Sequence, residues 1–132
     1  MEEKESELAL RLKTIEQALL TLEEALAQPF SVIVRDAAIQ RFEYTFELAW
    51  KLFRKVAKIE GMEVNSPRQA IRAAYNAGLL KDIDLWFELL EDRNRTSHTY
   101  NESTATQVFE SAGHLPATLR SAIKLIRHNY LR

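Results

Sequence analysis

Apolar residues recur along this chain at helical spacing almost from end to end. Leu8, Leu12, Ile15, Leu19, Leu22 and Leu26 step alternately by four and three. That is the narrow seam of a bundle or coiled coil, and it predicts a first helix from about Lys4 to Ala27, ended by Pro29. Ile39, Phe42, Phe46, Ala49, Phe53 and Val56 repeat the rhythm over a second helix from about Ser31 to Ile59. Trp50 widens its stripe, and Gly61 is placed to stop it. Ser66, Pro67 and Gln69 form a capping box with proline at the first helical position, so a short third helix runs from Pro67 to about Ala77 and ends at Gly78. A fourth helix starts at Asp82 or Asp84, carries Ile83, Trp86, Leu89 and Leu90 inward, and frays between Thr96 and Tyr100. The fifth begins between Asn101 and Thr104 and reaches Tyr130. Its expected stripe is Phe109, Ala112, Pro116, Leu119, Ile123, Ile126 and Tyr130, with a kink or break at Pro116.

Three long and two shorter helices with short connections predict one all-α domain over residues 1–132, an antiparallel up-and-down bundle of the four-helix type. Composition agrees. With 46% apolar and 28% charged residues the chain folds rather than stays disordered, and three Gly and three Pro are too few turns for an all-β domain. There is no Cys, which excludes disulfides, thiolate zinc sites and a thiol nucleophile. No apolar run approaches the ~18 residues of a membrane span. The acidic MEEKESE start resembles no signal or transit peptide, so a cytoplasmic location is expected.

The net charge of -1 hides blocks of alternating sign: -4 over 1–30, +4 over 31–81, -5 over 82–110 and +4 over 111–132. A locally basic face is therefore compatible with the near-neutral total, with the two basic blocks as its expected sources.

The most unusual stretch is Glu91 to Tyr100, EDRNRTSHTY. The stripe of the fourth helix extrapolates to positions 93, 94 and 97, which hold Arg93, Asn94 and Ser97. A guanidinium on an inward-tending face must find a carboxylate, carbonyls or an anion. An internal ion pair with Glu43 or Glu47 on the second helix is the plainest solution. Arg93 and His98 are five residues apart, ~140° around a regular helix. Either the helix unwinds before His98 or a second copy of the chain completes the site. His114 and His128 read as helix-end residues meeting a C-terminal dipole. Glu88, Glu91, Asp92 and His98 match no strong metal-ligand spacing, so neither metal nor cofactor is expected. Glu43, Glu47 and Lys51 form an i,i+4 charge ladder.

The run Arg93-Asn94-Arg95-Thr96-Ser97-His98-Thr99-Tyr100 resembles the R-x4-H-x-Y motif of HEPN-domain proteins, in particular the HepT-type toxin and nucleotidyltransferase substrate-binding branch. Arg41 to Lys51 (RFEYTFELAWK), Ser66-Pro67-Arg68 and Leu89 to Asn101 are similar to the same branch, so the likeness spans about residues 35–110. The resemblance implies an antiparallel helical bundle that dimerises through the motif region, with Arg93 and His98 as catalytic residues of a metal-independent endoribonuclease. Asn94 matches the polar residue usual after the motif arginine. The resemblance also implies a small nucleotidyltransferase partner that transfers AMP to Tyr100. The alternative it leaves open is a non-catalytic nucleotide- or substrate-binding subunit of a two-component nucleotidyltransferase.

The chemistry suits these residues. RNA cleavage without metal needs a base for the 2′-hydroxyl, an acid for the leaving oxygen and a cation for the phosphate. Imidazole serves as acid or base near neutrality, and arginine binds phosphate bidentately. Two copies of Arg93 and His98 across a two-fold axis supply the full set, with Asn94, Ser97, Glu43 and Glu47 in support.

Overall fold

A computed structural model describes residues 2–131, all of whose regular elements are helical: α1 Glu2–Leu26, α2 Val32–Ile59, α3 Pro67–Asn76, α4 Ile83–Asn94, a 3-10 turn Thr96–His98, and α5 Glu102–Tyr130. The boundaries follow from local chemistry. Ser31 Oγ accepts from the Val34 N–H at 3.0 Å, Ser66 Oγ from Gln69 at 3.2 Å, and Asp82 Oδ1 from Leu85 at 3.0 Å. Each satisfies an amide that the first turn cannot. Gln69 reaches back to the Asn65 N–H at 2.9 Å, one residue before the cap. Two helices end on glycines in the left-handed region, Gly61 at φ 82° and Gly78 at φ 79°. The amides after them, Met62 and Leu79, donate to Ala57 and Ala74 carbonyls at 2.9 Å, which closes a Schellman motif at each end.

Helix α2 is the axis of the bundle. It packs against α1, α3, α4, α5 and the 3-10 turn, whereas α1 and α4 do not touch each other. Cross-helix pairs set the directions. Glu7 meets Lys55 and Glu24 meets Arg41, so α1 and α2 are antiparallel. Glu23 and Glu16 meet Arg120 and Arg127, so α5 runs back along α1. Up-down-up-down topology results, with α3 as a short crossing piece.

The seam of α1 is buried as its spacing predicts at Leu8, Leu12, Ile15, Leu19 and Leu22, but Ala25 rather than Leu26 closes it. In α5 the buried stripe is Ala105, Val108, Ala112, Leu115, Leu119, Ala122, Ile123 and Ile126. Leu115 takes the place expected of Pro116, and Phe109 is only half-buried, edge-on to Phe30 at 5.6 Å. The helix runs on through Pro116 without a break. One missing hydrogen bond is tolerable where flanking turns are held by burial of Ala112, Leu115 and Leu119.

Trp86 is fully buried and joins α4 to the rest of the bundle. Its ring lies 5.9 Å from Phe46 and 5.2 Å, edge-on, from Phe53 of α2, and its Nε1–H donates to Thr118 Oγ1 of α5 at 2.9 Å. An aromatic of this size enclosed on both sides fixes the position of the short helix that carries it. Replacing Trp86 with Ala is expected to cost ~3–5 kcal/mol in urea unfolding, with amide-exchange protection lost first in α4; a loss below ~1 kcal/mol would contradict this role.

Candidate functional site

The motif residues sit where α4 stops. Asn94 is the last helical residue, Arg95 caps it, and the chain tightens into the 3-10 turn, with the His98 amide on the Arg95 carbonyl at 2.9 Å. Thr96 Oγ1 donates to the Arg93 carbonyl at 2.8 Å and Thr99 Oγ1 to the Thr96 carbonyl at 3.3 Å, so two hydroxyls take up backbone acceptors that an unwound end leaves over. The helix therefore unwinds before His98, and the ~140° separation of a continuous helix no longer applies. Asn101 then caps α5, accepting from Ser103 at 3.0 Å and Thr104 at 3.2 Å.

Arg93 Nη2 donates to Glu47 Oε2 at 2.5 Å, and Nη1 contacts Asn94 Oδ1 at 3.4 Å. Its side chain is 33% exposed, so it is clamped rather than interred. Nε is enclosed with no partner, which leaves a donor of the guanidinium unused. Glu47 also meets Lys51 Nζ at 3.5 Å. Burial pushes the Glu47 carboxyl up, but the Trp50 indole N–H and the Arg93 and Lys51 cations outweigh it and hold the group below its ordinary value. The indole N–H lies near enough to Glu47 to act electrostatically, although it makes no hydrogen bond of ordinary geometry.

Of the two acids offered as partners for Arg93, Glu47 is taken. Glu43 is exposed and makes no ion pair among the described residues, so a supporting contact from Glu43 to Arg93 is not formed in the single chain. Asn94, Ser97 and His98 are exposed. Tyr100 is 83% exposed, its hydroxyl 3.5 Å from His98 Nδ1, with the two rings edge-on at 6.0 Å.

Two further anchors hold this turn, and neither is visible in the local sequence pattern. Asp92 is buried, accepting from Arg95 Nη1 at 2.8 Å and from the Ser111 hydroxyl of α5. Arg35, also buried, grips Glu102 at 2.7 Å and 3.4 Å and its neighbour Asp36 at 3.1 Å. The Arg35 hydrogen bond draws Glu102 below the usual carboxylate range. The first anchor ties the end of α4 to α5; the second ties the start of α5 to α2. Between them they fix both ends of the segment that presents His98 and Tyr100.

The charge blocks also resolve. The 31–81 block lies beside the motif through Lys51, but Arg120 and Arg127 of the 111–132 block are spent on Glu23 and Glu16 of α1. Two of the four basic residues of the second block are thus taken up by carboxylates of α1. Glu88, Glu91 and Glu110 line a separate, acidic cleft between α4 and α5. Among the described residues no group of three or more His, Asp and Glu side chains is placed to hold a metal ion, and no helix is long and apolar enough to cross a membrane.

An up-and-down bundle that breaks one helix to present an arginine, a histidine and a tyrosine on successive turns is a HEPN-like domain. The chain belongs to the family described as nucleotidyltransferase substrate binding protein like, whose model matches residues 10–125, and it falls in the HepT-like branch. It is 28% identical over 117 residues to a Haemophilus influenzae protein named "Probable ribonuclease HepT", covering 76% of this chain and 80% of that one. A Thermus thermophilus crystal structure superposes with TM-score 0.79 at 40% identity, over 86% of this chain and 98% of that chain. A Haemophilus influenzae structure, described as the fold of a substrate binding domain of a nucleotidyltransferase, shares the fold with TM-score 0.76 at 24% identity, over 88% and 98% of the two chains.

The Arg93–Glu47 pair makes a pH prediction. Because the folded Glu47 value lies below the unfolded one, near ~4.3, the pair stabilises fully above that value and is lost as pH falls through the lower folded one. Glu47→Gln is expected to destabilise by ~1 kcal/mol at neutral pH, with the difference from wild type in urea titrations shrinking as pH falls below ~4.3 and vanishing once the lowered folded value is passed. A difference independent of pH would contradict the pairing.

Proposed function

We propose that the protein is a metal-independent endoribonuclease of the HEPN toxin type, working as a homodimer and held in check by a small nucleotidyltransferase. The observation that carries this reading is the helix break: it sets a partly exposed guanidinium before the turn and an exposed imidazole at its end, with a phenol 3.5 Å from that imidazole. The name of the Haemophilus relative supports the same activity.

The chemistry needs two imidazoles in opposite protonation states. His98 of one protomer takes the proton of a ribose 2′-hydroxyl. The 2′-oxygen bonds to phosphorus while the bond to the 5′-oxygen breaks, and the partner subunit's His98 protonates that leaving oxygen. A 2′,3′-cyclic phosphate and a 5′-hydroxyl result. Arg93, once its phosphate contact displaces Glu47, stabilises the charge on the non-bridging oxygens. Asn94 and Ser97 offer further donors on the same rim. Glu47 keeps the guanidinium oriented while the site is empty, and Glu43 remains a solvated neighbour one turn away.

Tyr100 stands far enough into solvent for another enzyme to reach it. Adenylylation forms a bond from its phenolic oxygen to the α-phosphorus of ATP and releases pyrophosphate. The attached phosphate then sits beside His98 and competes with RNA for Arg93.

A binding-subunit reading draws on a different observation. The family description, nucleotidyltransferase substrate binding protein like, favours a site in which Arg93 holds a phosphate for a partner transferase without cleaving it.

The two separate cleanly. Full-length protein is expected to cleave RNA in EDTA, His98→Ala and Arg93→Ala to lose at least ~10²-fold in rate with unchanged circular dichroism, and Tyr100 to gain the mass of AMP when the transferase and ATP are added. Undiminished cleavage by both variants, or saturable nucleotide binding with no cleavage by wild type, would contradict the ribonuclease reading.

A further inference from the structure

Beside the motif lies an open groove of about 730 Å³ between the C-terminal half of α2 and the first turns of α1. Its walls carry Arg11, Lys51, Arg54, Lys55 and Lys58 against the acids Glu7 and Glu63. Lys55 is committed to Glu7, and Arg54, half-buried, lies over the Trp50 ring at 4.8 Å. Arg11 and Lys58 are exposed and make no ion pair among the described residues.

Lys51, Arg54 or Lys55, and Lys58 follow one another by about a turn, so cationic groups repeat roughly every ~5.4 Å along α2. Lys51 belongs both to this groove and to the Glu47 carboxylate that holds Arg93, at 3.5 Å. The cationic track and the motif are therefore one continuous surface. The cleft between α4 and α5 carries the acids Glu88, Glu91, Asp92 and Glu110 with the cation Arg95, whereas the groove between α1 and α2 is mainly basic. A polyanion arriving at Arg93 therefore has a favourable direction in which to continue.

We infer that the Arg11–Lys51–Arg54–Lys58 groove is the track for the phosphodiester backbone of single-stranded RNA leaving the Arg93–His98 site. A groove that follows the backbone by charge, without base-specific pockets, is the usual form of sequence-tolerant single-strand binding. A docking surface for a folded partner would place buried aromatic anchors at its centre; here the apolar side chains of the lining are Met62 and Val64. The role assigned to the groove rests on the ribonuclease reading, but its affinity for a strand does not require cleavage.

The test is fluorescence anisotropy of the full-length protein with a labelled, fully 2′-O-methylated RNA, which binds but cannot be cut, across a salt series. Arg54→Glu with Lys58→Glu is expected to weaken binding by at least tenfold and to lower the salt slope by ~1.4, at ~0.7 for each lost single-strand phosphate contact. Lys81→Glu with Lys124→Glu changes net charge equally but lies outside the groove, and is expected to change affinity less than threefold. Because Arg54 also covers Trp50, Lys58→Glu alone is the second variant. It should keep the wild-type melting temperature and lose about half the salt-slope effect. Equal losses in the groove and control variants, or no loss in either groove variant, would overturn the proposal. So would unchanged RNA affinity with lost binding of the nucleotidyltransferase, which makes the groove a protein-docking face. Wild type that binds the methylated strand in the groove but never cuts ordinary RNA contradicts the ribonuclease reading alone. Wild type that cuts while the groove variants bind normally contradicts the groove alone.

Discussion

The site depends on how Trp86 is enclosed. Helix α4 has only twelve residues, too few to hold a helix in water by itself. It is kept in place because Trp86 is wedged between Phe46 and Phe53 of α2, with the indole N–H satisfied by Thr118 of α5. From Trp86 to Arg93 is seven residues, about two turns. Fixing the tryptophan therefore fixes which side of α4 the arginine leaves from, and Glu47, on the same helix α2 as both phenylalanines, is there to meet it.

The charges around the helix break are arranged in layers of decreasing burial. Asp92 and Arg35 are enclosed and fully engaged, so they act as joints between helices; leaving either unpaired would be costly. Arg93 and Glu47 are about one-third exposed, which is enough for solvent or a phosphate to compete. His98 and Tyr100 stand free. Rigidity thus sits beneath the site and adaptability at its rim, the order needed by a surface that must be positioned yet accept a substrate. A single chain offers one such imidazole, whereas general-acid and general-base roles in one displacement call for two. That arithmetic is why the proposed ribonuclease calls for two copies of the chain.

Most of the fold was legible because its determinants are local. The 3–4 spacing of Leu8 to Leu22, the caps Ser31, Ser66, Asp82 and Asn101, and the stops Gly61 and Gly78 each act within a few residues of themselves. Pro116 misled because propensity favours a break there, while burial of the turns on either side holds the helix together. At the site, the need of Arg93 for a partner was legible from its register, and Glu47 was one of two acids at plausible height. The choice between Glu43 and Glu47 was not, since it turns on how α4 slides along α2. The Arg35–Glu102 and Asp92–Ser111 joints were invisible for the same reason. Their members are 67 and 19 residues apart, and no periodicity within one helix reports on its neighbour.

The central claim, that two copies of this chain make one cleaving site from paired Arg93 and His98, is tested most directly by dilution. Sedimentation and RNA cleavage would be measured on the same concentration series in EDTA. The account predicts specific activity that falls in step with the dimer fraction, approaching zero for the monomer. Constant activity per chain down to concentrations where the protein is monomeric would contradict it.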